Sequence, residues 1–345
     1  MREPEIVETF DCFGSSCAAL LIGAAPERSA REAARQARRS LRAWHERFSR
    51  FSPQSELSSL NGDPRLVVPV SPLMARFANA VVIAGSLTRG LVDSTLVDQI
   101  EAAGYATGLT HPLPLRLALR LAPARRAAAP SAAQGWRAIE VDMESGTVGR
   151  PAGVKLDSGG LAKGLFADIL AEQLAAHPSF AINCAGDLRI GGSEGLIRPI
   201  KVESPFDGST LHKFRMRRTG VATSGIGRRA WLDARGRPAH HLLDPSTGRP
   251  AYTGIVQVTA LAPSALMAEI RAKAAILSGP RAGRGWLPDG GVIVLDDGSH
   301  EVIEPAAPAR ASRPSADERP GDGRARDARP DAEGDCEAHR QLIGG

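Results

Sequence analysis

The stretch from His240 to Pro250, His-His-Leu-Leu-Asp-Pro-Ser-Thr-Gly-Arg-Pro, constrains this chain more than any other. Asp244-Pro245 and Thr247-Gly-Arg-Pro250 force the backbone to bend whatever surrounds them. The same residues gather two imidazoles, a carboxylate, two hydroxyls and a guanidinium inside an otherwise apolar, glycine-punctuated sequence. Two readings stay open at this point. One is an Asx-type turn between two strands, for which Asp-Pro-Ser-Thr-Gly is suitable chemistry. The other is a loop that carries the function.

At 345 residues the chain can bury one large core or two smaller ones. Its apolar content of 43% fits a globular protein. Aromatics make up 4% and the net charge of +5 is spread over scattered Lys and Arg, so neither a base-stacking platform nor a basic footprint for nucleic acid is present. An anionic small molecule suits that charge. Met1 to Phe10 is polar and acidic, without a basic leader running into an apolar stretch. No run approaches the roughly twenty apolar residues that span a bilayer. No membrane span is expected, and the cytoplasm is the expected location. Cys12, Cys17, Cys184 and Cys336 are too dispersed for a disulfide framework and lack zinc-ligand spacing.

Taken in order, Val7 to Ile22 reads as a hairpin around Gly14. Ser29 and Glu32 form a capping box ahead of a helix over Ala33 to Phe48, on which His45 reads as an ordinary histidine. A turn of helix at Leu57 to Leu60 follows a hydroxyl-rich loop, and Ser71-Pro72 opens a helix to about Leu87. Thr110 to Gln134 reads as an insertion, part helix and part loop. Ala138 to Val148 reads as a hairpin turning at Ser145-Gly146. Ser179 to Cys184, Ile197 to Glu203, Lys213 to Arg217 and Ile255 to Leu261 read as strands. Val221 to Gly225 reads as a turn bearing hydroxyls. Ser264 caps a helix over Ala265 to Ser278, and Gly291 to Leu295 reads as the last strand. Residues 305–345 are rich in Ala, Pro, Arg and Asp with almost no large apolar side chains, and are expected to be disordered. Cys336 and His339 lie there and are poor site candidates.

Val154 to Asp168 reads as a strand end, a glycine turn at Gly159-Gly160 and a helix continuing to about Ala176. A glycine turn feeding a helix N-terminus presents free N–H groups to an anion, and Lys163 adds a full charge. A tight connection with an exposed lysine is the alternative reading.

Six motifs in order resemble one family, the FAD:protein FMN transferases, also called the ApbE family. Phe51-Ser-Pro-Gln-Ser-Glu-Leu-Ser-Ser-Leu-Asn61 resembles the family's early "SEL..LN" element, and Val92-Asp-Ser-Thr95 with Tyr105 resembles "DPT…WGF". Leu156 to Gly164 with Asp168 resembles "DLGGIAKGYAVD", and Ala181 to Asp187 resembles "VNAGGD". Ala222-Thr-Ser-Gly225 and His240 to Pro250 complete the set, which spans about Arg47 to Gly279.

The resemblance implies an α+β fold: a mixed sheet core with packed helices, two lobes in one domain over residues 1–304. It implies an enzyme that cleaves the FAD pyrophosphate, joins FMN to a Ser or Thr of an acceptor flavoprotein and releases AMP. By resemblance His241 is the base and Asp244 a second catalytic candidate, with Thr247 shaping the loop. Ser94, Thr95, Ala103, Gly104, Tyr105, Asp157, Gly160, Lys163 and Ser224 are the expected nucleotide contacts, with Asn183 and Asp187 as further candidates. Two other readings share these residues: an FAD-binding protein or pyrophosphatase without an acceptor, and a non-catalytic flavin-binding relative.

One departure stands out. Many members carry "ADALAT" on the late helix, whose Asp and Thr help to hold Mg2+. Here Ala268-Glu-Ile-Arg-Ala-Lys273 places Glu269 and Lys273 at those positions. A metal site would therefore rest on Gly160 and Glu269, with Lys273 either paired to Glu269 as an ordinary i,i+4 couple or standing where the cation would be.

Overall fold

A computed structural model describes residues 3–107 and 112–305. The tail and the start of the insertion, expected from the sequence, fall outside these residues. β1 (Ile6–Cys12) and β2 (Ser15–Ile22) form the expected hairpin, with Phe13 and Gly14 both at positive φ in its turn. α1 (Ala30–Phe48) starts at the capping box: Ser29 accepts from the Glu32 N–H, and Glu32 reaches back to the Ser29 N–H. α2 (Glu56–Gly62), β3 (Val67–Pro69) and α3 (Pro72–Leu87) follow, α3 capped by Ser71 with Pro72 in its first turn. Then come two short helices, α4 (Val97–Ala102) and α5 (Leu115–Arg120), and β4 (Glu140–Asp142) with β5 (Thr147–Gly149), to which β3 adds a third strand.

Val154 to Leu156 is not a strand end. Asn61 takes both main-chain groups of Leu156, accepting its N–H at 2.7 Å and donating to its carbonyl at 2.9 Å. This extended segment thus needs no sheet partner. It leads into a single 3-10 turn at Ser158–Gly160 and then α6 (Ala162–Leu174).

The remaining strands are β6 (Ser179–Cys184), β7 (Asp187–Gly191), β8 (Arg198–Glu203), β9 (Thr210–Met216) and β10 (Thr219–Gly225). After them come β11 (Ala230–Leu232), β12 (Pro238–His240), β13 (Leu243–Asp244), β14 (Arg249–Pro250) and β15 (Ile255–Ala262). α7 (Ala265–Ser278) is capped by Ser264, and β16 (Gly291–Leu295) is followed by β17 (His300–Ile303). Two expectations are corrected. Val221 to Gly225 is not a turn, because β10 pairs with β7 on one side and β15 on the other. Gly291 to Leu295 is not the last strand, since β17 pairs with it.

The central sheet has eight strands in the order β1-β2-β6-β7-β10-β15-β16-β17, every pairing antiparallel. The α+β architecture of a sheet core with packed helices is therefore present. Period-two alternation sorts the side chains of β6: Phe180, Ile182 and Cys184 join α1, α3 and α6 in one core cluster, whereas Ala181 joins β8, β9 and β15 in a second. α7 belongs to both, with Ile270, Ala274 and Leu277 in the first and Ala272, Ala275 and Ile276 in the second. Its run of alanines lets it lie close against β10 and β15. Among the described residues, no helix is long and apolar enough to cross a membrane.

Candidate active site

α6 and α7 cross at Gly164, where a Cβ would lie 2.7 Å from the Ala265 carbonyl oxygen. The crossing is locked from both sides. Asp168 on α6 accepts the Ala265 and Leu266 N–H groups at 2.8 and 2.9 Å, capping α7. Glu269 on α7 accepts the Gly164 N–H at 2.9 Å. This geometry fixes Lys163, the neighbour of Gly164, against the acidic groups. Lys163 forms ion pairs with Asp187 and, at 3.3 Å, with Glu269, and Lys273 pairs with the same Glu269 oxygen at 3.0 Å. Asp187 reaches this position because it opens β7 after a two-residue hairpin turn, Ala185 and Gly186, both at positive φ. Asn183 holds that turn by accepting the Gly186 N–H at 2.8 Å.

The ladder Asp187, Lys163, Glu269, Lys273 alternates in sign and is almost wholly buried. Burial disfavours the charged forms, but the carboxylates of Asp187 and Glu269 outweigh it at Lys163 and raise its pKa. Burial raises Asp187 to about 6 against the pull of Lys163. At Glu269 burial works upward, yet Lys163 and Lys273 together lower its pKa. Lys273 is lowered by burial, with Glu269 opposing.

Lys163 and Lys273 project into a cavity of about 500 Å3, which Ser94, Tyr105, Asp157, Gly160 and His241 also line. These are the sequence-predicted residues that the fold brings together. The His241 imidazole is half-buried, and its Nδ1 is enclosed without a hydrogen-bond partner among the described residues. Burial, and then Arg229, His240 and the two lysines, keep its pKa well below the ordinary histidine value. The ring is neutral at neutral pH.

The other predicted residues are not among those that line the cavity. Asp244 Oδ1 accepts from the Ser246 N–H at 3.0 Å, the Ser246 hydroxyl at 2.8 Å and the Ala129 N–H at 3.0 Å, so this carboxylate organises the loop and its packing on the insertion. The Asx turn and the candidate functional loop are one segment: Asp244 builds the bend and His241 faces the cavity. Thr247 is exposed and bonds within the turn. Thr95 donates to Asp93 at 2.6 Å, and the Ala103 carbonyl accepts from Trp231 Nε1 at 2.8 Å. Gly104 holds φ near 100° beneath that indole, and Ser224 lies buried within β10. Glu269 is 0% exposed and reaches the cavity only through its lysines.

Other lining residues carry no motif. Arg50 lies over the rings of Phe51 and Tyr105, 4.4 and 4.7 Å from their centroids, bonds the Tyr105 carbonyl and pairs with Asp157 at 3.6 Å. Tyr105 in turn stacks on Trp231 at 5.2 Å. Arg228 and Arg229 add positive charge, and Arg229 donates to the Phe13 carbonyl at 3.2 Å, tying the β1–β2 turn to the cavity. His45, read from sequence as ordinary, also lines it, edge-on to Phe13. The adjacent pair Arg228-Arg229 after a Ser-Gly step was the one sequence signal available for these residues.

Residues 13–295 match the sequence model of the ApbE family. The chain belongs to the ApbE family. An FAD:protein FMN transferase of Haemophilus influenzae is 25% identical over 242 residues, covering 65% of this chain and 66% of that protein, just under two thirds of its length. An ApbE protein of Thermotoga maritima is similar in structure with TM-score 0.69 and 25% identity, covering 87% of this chain and 97% of that one. The apo flavinyl transferase ApbE of Pseudomonas stutzeri shares the fold, with TM-score 0.69, 19% identity, and coverage of 88% and 96%.

The magnesium site that the ApbE resemblance implies does not fit the residues present. Both Glu269 oxygens are engaged, one by the Gly164 N–H and the other by two ammonium groups. Asp187 is engaged by Lys163. Two carboxylates facing two ammonium groups leave no net negative charge to attract a divalent cation. No cluster of three acidic, His or Cys ligands able to hold a metal occurs among the described residues.

Proposed function

We propose that this chain is an FAD:protein FMN transferase. One observation carries the reading: a single cavity joins an aromatic wall, Phe51 and Tyr105 under Arg50, to a cationic cluster of Lys163, Lys273 and Arg229 beside the neutral imidazole of His241. That set matches the parts of FAD, a flat ring system joined to a pyrophosphate. The ApbE relatives named as flavin transferases support it.

In this reading the rings pack on the aromatic wall, and the pyrophosphate oxygens face Lys163, Lys273 and the N–H groups at the start of α6. His241 accepts the proton of an acceptor Ser or Thr hydroxyl. The hydroxyl oxygen bonds to the phosphorus of the FMN half, and the bond from that phosphorus to the bridging oxygen breaks. AMP leaves with that oxygen, and FMN stays on the acceptor as a phosphodiester. The protein's contribution is positioning and charge compensation, as phosphoryl transfer requires.

Incubating the purified protein with FAD and a candidate acceptor flavoprotein, followed by intact-mass analysis, tests this. Addition of one FMN mass to the acceptor with an equal amount of AMP is expected. AMP and free FMN without acceptor modification would instead make the chain a pyrophosphatase, and FAD bound unchanged would make it a flavin-binding relative.

A further inference from the structure

Lys273 sits at the end of the buried ladder, where it meets the cavity, and its position is over-determined. Its Cε lies 3.9 Å from where a Cβ on Gly160 would be, so the ammonium end of the side chain lies beside the glycine turn that opens α6. One donor goes to Glu269 at 3.0 Å, and an ammonium has three. Glu269 is fixed in turn by the Gly164 N–H and by Lys163, and Lys163 by Asp187. Asp187 is matched by Lys163 and Glu269 is shared by Lys163 and Lys273, so the four charges balance and Lys273, at the cavity end, presents its ammonium to the cavity. A divalent ion placed at this point would meet the Lys273 ammonium and carboxylate oxygens that already have partners.

We propose that Lys273 is a built-in phosphate-binding cation that fills the role of a divalent metal, so that this chain binds and cleaves the FAD pyrophosphate without one. The proposal rests on the FAD reading above. Glu269 and Lys163 are its positioning residues: they hold the ammonium, and Lys273 spends its remaining donors on phosphate oxygens. No bond is made or broken at Lys273. It offsets negative charge on the oxygens while the phosphorus exchanges one oxygen for another. Glu269 and Lys273, one helical turn apart, supply a fixed charge instead of a site for an exchangeable ion.

The test is FAD titration by flavin fluorescence, run in EDTA and in excess Mg2+, with riboflavin as a ligand that lacks the pyrophosphate. The wild-type protein should bind FAD with the same Kd in both buffers, and Mg2+ titrated into the FAD complex should give no saturable heat. Lys273→Met should weaken FAD by at least about tenfold while leaving riboflavin within about twofold, a split that a merely structural role would not produce. Glu269→Asp combined with Lys273→Thr should restore tighter FAD binding in Mg2+ than in EDTA. FAD affinity in the wild type that rises tenfold with Mg2+, or equal losses for FAD and riboflavin in Lys273→Met, would overturn the proposal. AMP release and intact-mass analysis of the acceptor in the same two buffers separate the failures: metal-independent binding and AMP release, both lost in Lys273→Met, but with no FMN on the acceptor, would refute the transferase reading and leave Lys273 as the phosphate cation, whereas AMP release that needs Mg2+ would overturn the proposal.

Discussion

At the scale of single residues the site divides its labour between two positions three apart in the same loop. Asp244 spends one oxygen on three donors, so the loop's shape depends on it. His241 has an enclosed Nδ1 without a partner among the described residues and a ring kept neutral by burial and by Arg229. In the proposed transfer a neutral imidazole beside cations would accept a proton without competing with them for phosphate oxygens. Replacing His241 by Ala should lower transfer by about 100-fold to 10,000-fold while the Kd for FAD changes by less than about threefold. Stopped assays of AMP release, paired with FAD titration, check this; a parallel loss of binding would make His241 a ligand contact and leave the base unassigned.

At the scale of elements the decisive contact is the crossing of α6 and α7, because Lys163, Glu269 and Lys273 are all placed by it. A methyl group at Gly164 would press on the Ala265 carbonyl and Leu266 nitrogen at 2.7 to 2.8 Å, and neither is a side chain that can swing aside. Gly164→Ala should therefore cost about 1–3 kcal/mol in chemical denaturation and reduce FAD affinity, whereas Ala162→Gly on the same helix should leave the crossing intact. Helix limits were legible in sequence where a cap is local: Ser71-Pro72, Ser29 with Glu32, and Ser264 each mark the start that the structure shows. β10 was not legible. Its Thr-Gly-Val-Ala-Thr-Ser-Gly composition is that of a turn, and its small side chains reflect packing instead: a Cβ on Gly220 would lie 2.0 Å from the Ser264 carbonyl carbon. Of the candidate cavity, contiguous motifs made His241, Asp157, Gly160 and Lys163 legible as residues that the fold brings together. Arg50, Arg228 and Arg229 were hidden because only tertiary approach brings their segments together.

At the scale of the whole molecule, buried ionisable groups set how stability responds to pH. His240 is 1% exposed, edge-on to Tyr252 at 4.8 Å, accepts the Leu242 N–H through Nδ1, and has an enclosed Nε2 without a partner among the described residues. Burial lowers its pKa from 6.5 to about 3. Because the folded value lies below the unfolded one, its stabilising contribution is complete above about pH 6.5 and is lost as the pH falls toward 3. Within that window the unfolded chain holds one more proton at this site, a slope of about 1.4 kcal/mol per pH unit, and His241 acts in the same direction. Asp187 acts oppositely: its pKa, raised to about 6, makes the folded state hold the extra proton between about pH 4 and 6. The total slope therefore mixes opposing groups, and the difference between the wild type and His240→Phe isolates one of them. Phe keeps a ring against Tyr252 and removes the titration. Urea denaturation at pH 7.0, 6.0, 5.0 and 4.5 should show the wild type losing stability faster than the variant by about 1.4 kcal/mol per unit below pH 6. Parallel slopes would mean that His240 takes up its proton in the folded state, which its enclosure by Tyr252 and the β12 backbone argues against.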